Sequence, residues 1–215
     1  MPPIQFGVLL FPSQTVDTAM PLDTLSSCSK HAISLWVAHD PTYAPLLAQA
    51  IDIEYHHIAP TLSPVPLTGG FKVLPSTTIA ACPPLDFLLI GGPELDFQFS
   101  PEMTAFIQTH VAAGKGLFTN CTGALPVAAT GVLDGRTATV NHEALEVARA
   151  KWPRVNWVRE QWVVDGGVWT AGGACAGMDM MAWWVVERCG REVARLGFRG
   201  LDYVPRDVEG RVIVV

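Results

Sequence analysis

Short apolar runs alternate with longer amphipathic stretches along most of the chain. The runs at residues 6–11, 33–38, 51–58, 87–90 and 117–119 predict strands. The stretches at 21–31, 101–113, 122–130, 143–150 and 178–189 predict helices. Apolar residues on both sides of Asp165-Gly-Gly167 predict a β-hairpin. This order favours an α/β fold, a doubly wound and mostly parallel sheet covered by helices.

Composition limits the classes of protein to which the chain can belong. The 215 residues are 49% hydrophobic and 16% charged, which suits one domain over residues 1–215. The net charge is −6 and no Lys/Arg cluster occurs, so neither nucleic acid nor a membrane is an expected partner. No apolar run reaches the roughly 18–20 residues that span a bilayer, and no basic leader precedes the first strand. We expect a cytoplasmic protein.

The cysteine pattern predicts neither disulfides nor a metal site. The five cysteines are odd in number and no two have Cys-x-x-Cys spacing. The adjacent His56 and His57 lie on a predicted strand, where neighbouring side chains point to opposite faces. We therefore expect no metal, and we expect Cys28 and Cys189 to be packing residues.

One cysteine lies at a predicted bend between a strand and a helix. The segment at residues 116–131 reads as a short apolar strand followed by a helix, with Cys121 between them. Such a turn exposes a side chain at the carboxyl edge of a sheet, and a helix N-terminus stabilises a thiolate. Gly123 would let the turn close. Cys121 is therefore a candidate nucleophile, although a free cysteine is commonly a buried apolar residue.

Two other strand ends carry groups that a reactive thiol could use. The first predicted strand is followed by a loop with one carboxyl group, Asp17. The strand at residues 87–90 ends in Gly91 and Gly92, whose backbone N–H groups could face a ligand. The carboxyl ends of parallel strands meet in one crevice, so we expect the thiol, the carboxyl group and these amides to converge there.

Several motifs together resemble the DJ-1/PfpI superfamily, and most closely its isocyanide (isonitrile) hydratase branch with the fungal relatives of that branch. The resemblance covers roughly residues 4–190. It rests on Phe11-Pro12 with Asp17, Gly91-Gly-Pro93, Cys121-Thr-Gly-Ala124, Gly131-Val-Leu-Asp-Gly-Arg136, Trp162-Val-Val-Asp165 and Ala176-Gly-Met-Asp179.

The resemblance implies a flavodoxin-like fold and a site with defined roles. Cys121 would be the reactive cysteine on a nucleophile elbow, and Asp17 its acid–base partner. Gly91, Gly92, Thr122 and Asn141 would bind a small-molecule substrate. Asn141 stands where many members carry a histidine, and His142 is only its neighbour. A second thiol, Cys175, is expected near the site. The resemblance also implies a homodimer and no cofactor.

The resemblance and the residue chemistry together favour an isonitrile hydratase. A carboxyl group beside a thiol should share one proton with it, and we expect Asp17 to be the protonated partner. Attack of the thiolate on the isonitrile carbon, protonation and water addition would release an N-formamide. Four alternatives stay open: a glyoxalase-type hydratase, a tailoring enzyme for a secondary metabolite, a redox-sensing protein and a non-catalytic binding module.

Overall fold

The computed structural model describes residues 2–213, which form eleven strands and six α-helices. The strands are β1 Ile4–Leu9, β2 Ile53–Ala59, β3 Val65–Pro66, β4 Lys72–Val73, β5 Thr77–Thr78, β6 Phe87–Ile90, β7 Gly116–Asn120, β8 Thr137–Ala138, β9 Asn156–Trp157, β10 Trp162–Asp165 and β11 Val168–Ala171. The helices are α1 Thr15–Ser26, α2 Lys30–His39, α3 Pro101–Ala112, α4 Ala124–Ala129, α5 Leu145–Lys151 and α6 Ala174–Gly200.

Seven of these strands form one sheet in the order β10-β11-β7-β6-β1-β2-β5. Every neighbouring pair in it is parallel except the hairpin β10–β11. The chain passes from β1 to β2 on one side and later returns to β6 on the other. The strand order therefore changes direction beside β1, which is where open α/β sheets usually hold their ligands. The predicted doubly wound, mostly parallel sheet is confirmed.

Alternating side chains of the central strands fill two separate cores. Phe6 and Val8 of β1 point into the core that α1, α2 and α6 cover. Leu9 points into the opposite core, which is covered by α3, α4 and α5. This two-residue period explains why the central strands read as continuous apolar runs, since both faces of each strand are buried.

The strand predicted at residues 33–38 is wrong, because this segment lies within helix α2. Ser29 is the N-cap of that helix, and its hydroxyl accepts a hydrogen bond from the Ala32 N–H at 3.2 Å. Only Ile33 is fully buried, so one apolar residue fixes the helix on the core while the others lie near the surface. The apolar run suggested a strand, but the cap and the preceding helix define its actual conformation.

Helix α1 begins six residues before the predicted start at residue 21. The prediction placed Pro21 in the first turn, where proline is favoured, whereas the structure has Pro21 inside the helix. Asp17 consequently lies in the first turn of α1 rather than in a loop.

The other predicted elements lie close to their expected positions. The hairpin has its turn at Gly166 and Gly167, and the strand at residues 87–90 has the predicted bounds. The last helix is longer than predicted and is broken at Gly190, which has a φ of 78°. Among the described residues, no helix is both long and apolar enough to cross a membrane.

Candidate active site

A cavity of about 510 Å³ opens at the carboxyl ends of β1, β6 and β7. Its walls come from residues 12–14, 66–68, 92–94 and 96–97, and Cys121 and Thr122 also contribute. Three of these segments directly follow central strands of the parallel sheet. The predicted convergence of strand ends therefore produces a single pocket that contains the candidate nucleophile.

Cys121 occupies a tight turn at the end of β7. Its φ is 57°, and the single 3-10 turn Cys121–Gly123 leads directly into α4. Gly123 is required by close packing, because a Cβ atom there would lie 2.6 Å from the carbonyl oxygen of Gly91. The side chain of Cys121 is held at the pocket, with 8% of the residue exposed.

Asp17 lies fully buried beside the thiol. Its Oδ2 accepts a hydrogen bond from the Gly92 N–H at 2.9 Å. The Cys121 side chain lies against the same glycine, since a Cβ atom on Gly92 would be 2.9 Å from Cβ of Cys121. Within the described part of the chain, Oδ1 of Asp17 has no hydrogen-bond partner. Gly92 allows this contact, because a Cβ atom at that position would lie 2.6 Å from Oδ2.

The environment raises the pKa values of both groups. Burial raises the pKa of Asp17 to about 6, although the hydrogen bonds from Gly92 and Cys121 oppose this shift. Burial and the negative charge of Asp17 raise the pKa of the Cys121 thiol, against hydrogen bonds from Asn141 and Thr122. The expected stabilisation of a thiolate by the following helix is therefore outweighed.

These shifts place the shared proton on sulfur. Near neutral pH the carboxyl group lies above its pKa and the thiol lies below its own, so the pair is a carboxylate beside a neutral thiol. We expected a protonated Asp17 in the resting site, whereas the directions of these two pKa shifts favour a proton on the sulfur at neutral pH. The reason is that burial penalises ionisation of both groups, and the acid with the lower intrinsic pKa ionises first.

Asn141 contacts the thiol directly. Its Nδ2 donates to Sγ of Cys121 at 3.4 Å, and its backbone N–H donates to the Cys121 carbonyl oxygen at 3.2 Å. Its Oδ1 accepts from the Glu143 N–H at 3.1 Å and caps the following 3-10 turn. Asn141 thus links the loop after β8 to the elbow.

The four residues predicted to bind substrate have different positions in the site. Gly92 and Thr122 line the pocket, and the Thr122 hydroxyl donates to the carbonyl oxygen of Pro93 at 2.6 Å. Gly91 lies behind the pocket wall, where a Cβ atom would be 3.3 Å from Cβ of Asp17. A substrate-binding role for these residues stays a prediction.

Asn120 is a residue that sequence reasoning missed. In a regular helix the backbone N–H of residue 21 donates to the carbonyl oxygen of residue 17. Residue 21 is a proline here and has no N–H, so the carbonyl oxygen of Asp17 lacks its usual helical partner. Nδ2 of the buried Asn120 donates to this freed oxygen instead, at 2.6 Å. The end of β7 thereby holds the turn of α1 that carries Asp17. The sequence signal for this contact is Pro21, four residues after Asp17, because a proline there leaves a helix carbonyl oxygen that needs another donor.

Residues 66–68, at the end of β3 and directly after it, form an outer wall of the pocket that was also not predicted. Thr68 connects it to the start of α1, because the Thr15 N–H donates to Oγ1 of Thr68 at 2.9 Å and the Thr15 hydroxyl donates to the Thr68 carbonyl oxygen at 2.6 Å. Leu67 of this wall faces the cavity. The wall is therefore fixed to the helix that carries Asp17.

Cys175, which was expected near the site, and His142, the sequence neighbour of Asn141, are not among the described residues that line the pocket. Cys175 is exposed in the first turn of α6 and, among the described residues, is not part of the pocket lining. The expectation that this thiol lies near the site is therefore not met. His142 is hydrogen-bonded through Nε2 to the Glu160 carbonyl oxygen at 3.0 Å.

The remaining titratable side chains form no obvious second centre. Cys28 and Cys189 are buried, contact each other and pack between helices, as predicted. Among residues 2–213, no group of three or more His, Cys, Asp or Glu side chains is arranged to hold a metal ion.

Comparison with known proteins places this site in a family. Residues 40–187 match the DJ-1/PfpI family. The chain belongs to the DJ-1/PfpI family. It is 30% identical over 208 residues to the isonitrile hydratase of Pseudomonas putida, an alignment that covers 94% of this chain and 79% of that protein.

Transcriptional regulators are also similar to this DJ-1/PfpI chain over a shorter stretch. The HTH-type transcriptional regulator GbdR of Pseudomonas aeruginosa is 29% identical over 128 residues, which cover 59% of this chain and 35% of the regulator. The HTH-type transcriptional regulator GlxA of Rhizobium meliloti is 30% identical over 51% of this chain and 34% of that protein. The chain thus spans about a third of the length of each regulator.

Solved structures show the same fold. A ThiJ/PfpI family protein from Pseudomonas syringae superposes with a TM-score of 0.74 at 23% identity, covering 96% of this chain and 78% of that one. DJ-1beta of Drosophila melanogaster has a TM-score of 0.71 at 16% identity, covering 93% of this chain and 98% of that one. The predicted flavodoxin-like architecture with an elbow cysteine is therefore confirmed.

Proposed function

We propose that the protein hydrates isonitriles to N-formamides without a cofactor, with Cys121 as nucleophile and Asp17 as acid–base catalyst. The observation that carries this proposal is a buried carboxyl group that lies beside the elbow thiol, with both side chains packed against Gly92, at the end of an apolar cavity. The similarity to the isonitrile hydratase of Pseudomonas putida supports the choice of substrate class.

The first step joins the thiol to the isonitrile carbon. Asp17 takes the proton from Cys121, the sulfur forms a bond to the terminal carbon, and Asp17 returns the proton to that same carbon. The product is a thioimidate, R–N=CH–S–Cys121, and Asp17 is again ionised. Asn141 Nδ2 and the Thr122 N–H stabilise the sulfur while it is negatively charged.

The second step releases the product. The carboxylate of Asp17 removes a proton from water as the hydroxyl group adds to the thioimidate carbon. Asp17 passes this proton to the imine nitrogen, and it then takes the hydroxyl proton as the carbonyl group forms and the carbon–sulfur bond breaks. This second proton returns to the sulfur, so the thiol and the carboxylate are restored and an N-formamide leaves. Overall, one isonitrile and one water give one formamide. The Gly92 N–H holds Asp17 through both steps, so it is not a free donor for the substrate.

The test is formamide production measured by mass spectrometry from one aliphatic and one aryl isonitrile. We expect turnover by the wild type and none by Cys121→Ser, whereas Cys175→Ser, which changes an exposed thiol, should retain full activity. Asp17→Asn should lose about 10²- to 10⁴-fold in rate because it has no transferable proton. Full activity of Asp17→Asn would contradict its acid–base role.

A ligand-binding module is the second candidate, and the similarity to two transcriptional regulators favours it. In this case the pocket would retain isonitriles or other small molecules without converting them. Wild-type protein that binds an isonitrile by calorimetry but releases no formamide would support the binding module. Turnover of methylglyoxal instead would support the glyoxalase-type alternative.

A further inference from the structure

We propose that the pocket selects neutral or cationic substrates and rejects anionic ones, through the carboxylates of Glu94 and Asp96. This inference deepens the proposed function, because it specifies which isonitriles would reach Cys121. It rests on the charge and packing of the pocket wall.

The charged side chains of the pocket all have the same sign. Glu94 and Asp96 are exposed at its rim, and Asp17 lies buried behind Gly92. Of the described residues that line the cavity, none is a lysine, arginine or histidine. A carboxylate or phosphate on a substrate would therefore meet two negative charges at the entrance and no cation inside.

The apolar part of the lining increases this penalty. Pro12, Leu67, Pro93 and Phe97 contribute walls that cannot hydrogen-bond to an anion. An anionic substituent would lose water against these walls, and the polar lining residues Ser13, Gln14, Thr68 and Thr122 offer it no positive charge. The cost of burying a charge without a counter-ion is large. A neutral alkyl or aryl group would instead gain from burial, and a cationic group would find Glu94 and Asp96 as counter-ions at the rim.

The backbone segment that carries the two carboxylates is anchored by an aromatic cluster. Phe97, which directly follows Asp96, stacks on Phe11 with ring centroids 4.8 Å apart. Phe99 packs edge-on against both rings, at 5.4 and 5.6 Å. The Phe97 N–H donates to the Glu94 carbonyl oxygen at 3.1 Å and closes a turn. The carboxylates therefore belong to an ordered wall rather than to a free loop.

The selection can be measured without any turnover, by modification of Cys121. Two methanethiosulfonate reagents of similar size are compared, one carrying trimethylammonium and one carrying sulfonate. With each, the thiolate forms a mixed disulfide and methanesulfinate leaves. The rate at Cys121 is followed by peptide mass mapping at low and high ionic strength, and the quantity of interest is the cation-to-anion rate ratio.

Neutralising the rim should reduce this ratio. We expect the Glu94→Gln/Asp96→Asn double variant to lower it about tenfold at low salt, and the difference should shrink as salt screens the charges. The Asp52→Asn/Glu54→Gln double variant is the matched control, because it also removes two exposed carboxylates, and these lie at the amino end of β2, on the opposite edge of the sheet. It alters the net charge but should leave the ratio unchanged.

Two outcomes would overturn the proposal. One is an unchanged ratio in the Glu94→Gln/Asp96→Asn variant, and the other is an equal drop in the Asp52→Asn/Glu54→Gln control, which would point to net charge alone. A second arm compares formamide production from a neutral isonitrile and from carboxylate- and ammonium-bearing analogues. A charge-selective thiol without any turnover would refute the hydratase and leave the selectivity standing. Turnover with equal rates for all three analogues would refute the selectivity and support the hydratase.

Discussion

Asp17 is a buried carboxylate whose ionisation opposes folding. Its usual pKa of 3.8 rises to about 6 in the folded chain, so the folded state holds its proton more tightly than the unfolded state. Stability from this group is therefore full below about pH 4 and is lost as the pH rises to about 6. A shift of this size corresponds to roughly 3 kcal/mol.

We therefore predict that the Asp17→Asn variant, which should lose most of its activity, is more stable than the wild type. At pH 7 its free energy of unfolding should exceed that of the wild type by about 1–3 kcal/mol, and the difference should vanish near pH 4. Urea denaturation at both pH values measures this. A variant less stable than the wild type at pH 7 would show that the charge is compensated.

In the wild type, kcat/KM should fall below about pH 6, where Asp17 becomes protonated.

Asn141 lowers the pKa of the Cys121 thiol against the larger effect of burial. Replacement by Asp keeps the oxygen that caps the next turn but removes the N–H donor and adds a negative charge. We predict that Asn141→Asp slows alkylation of Cys121 by iodoacetamide at pH 8 by about tenfold, because the thiolate fraction falls. Peptide mapping gives the rate. Asn156→Asp, which changes an exposed asparagine, is the control. An unaltered alkylation rate in Asn141→Asp would show that Asn141 only caps the following turn and does not affect the thiol.

Asn120 at the end of β7 donates a side-chain hydrogen bond to the backbone of helix α1, at the carbonyl oxygen of Asp17. Asn120→Ala would leave the Asp17 carbonyl oxygen unpaired, since Pro21 cannot supply a donor. We predict a loss of about 1–3 kcal/mol in the free energy of unfolding. In a Pro21→Ala background the helix regains its own N–H, so the same substitution should cost less. Equal costs in both backgrounds, measured by chemical denaturation, would contradict this coupling.

Elements buried on both faces were predictable from the sequence, and those near the surface were less so. The strand at residues 87–90 and the hairpin at Gly166 and Gly167 follow directly from apolar pattern and turn residues. Helix α2 was missed because its apolar residues are consecutive, while its helical state depends on the Ser29 cap. The start of α1 was missed because a proline inside a helix is unfavourable unless another group satisfies the freed carbonyl.

The number of chains in the assembled protein can be measured directly. We expect a homodimer, so sedimentation at micromolar concentration should give about twice the chain mass of 23.2 kDa. Trp157, Trp162 and Trp184 are buried inside the chain and cannot form the interface. Among residues 2–213, the large apolar residues that are more than half exposed are instead Leu35, Leu62, Phe71, Leu74, Leu95 and Val204. Sedimentation as a species of about 23 kDa would contradict the prediction.

The candidate site was predictable only where strand order decides it. Cys121, Asp17 and Gly92 converge because β1, β6 and β7 are parallel neighbours, which the alternation of elements implies. The outer wall at residues 66–68 and the rim carboxylates come from segments without a strong period. Their positions depend on long-range contacts such as Thr15 with Thr68 and Phe11 with Phe97, which local sequence patterns do not encode.

The backbone of Cys121 has a further consequence. Its left-handed conformation costs a non-glycine residue roughly 1–2 kcal/mol, and glycine would adopt it without that cost. Stability alone would therefore favour glycine over cysteine at position 121. Packing does not account for it either, since its side chain borders an open cavity. The fold carries a strained cysteine next to an unfavourable buried charge, and both costs to stability fall on the two residues to which the proposed function assigns the chemistry.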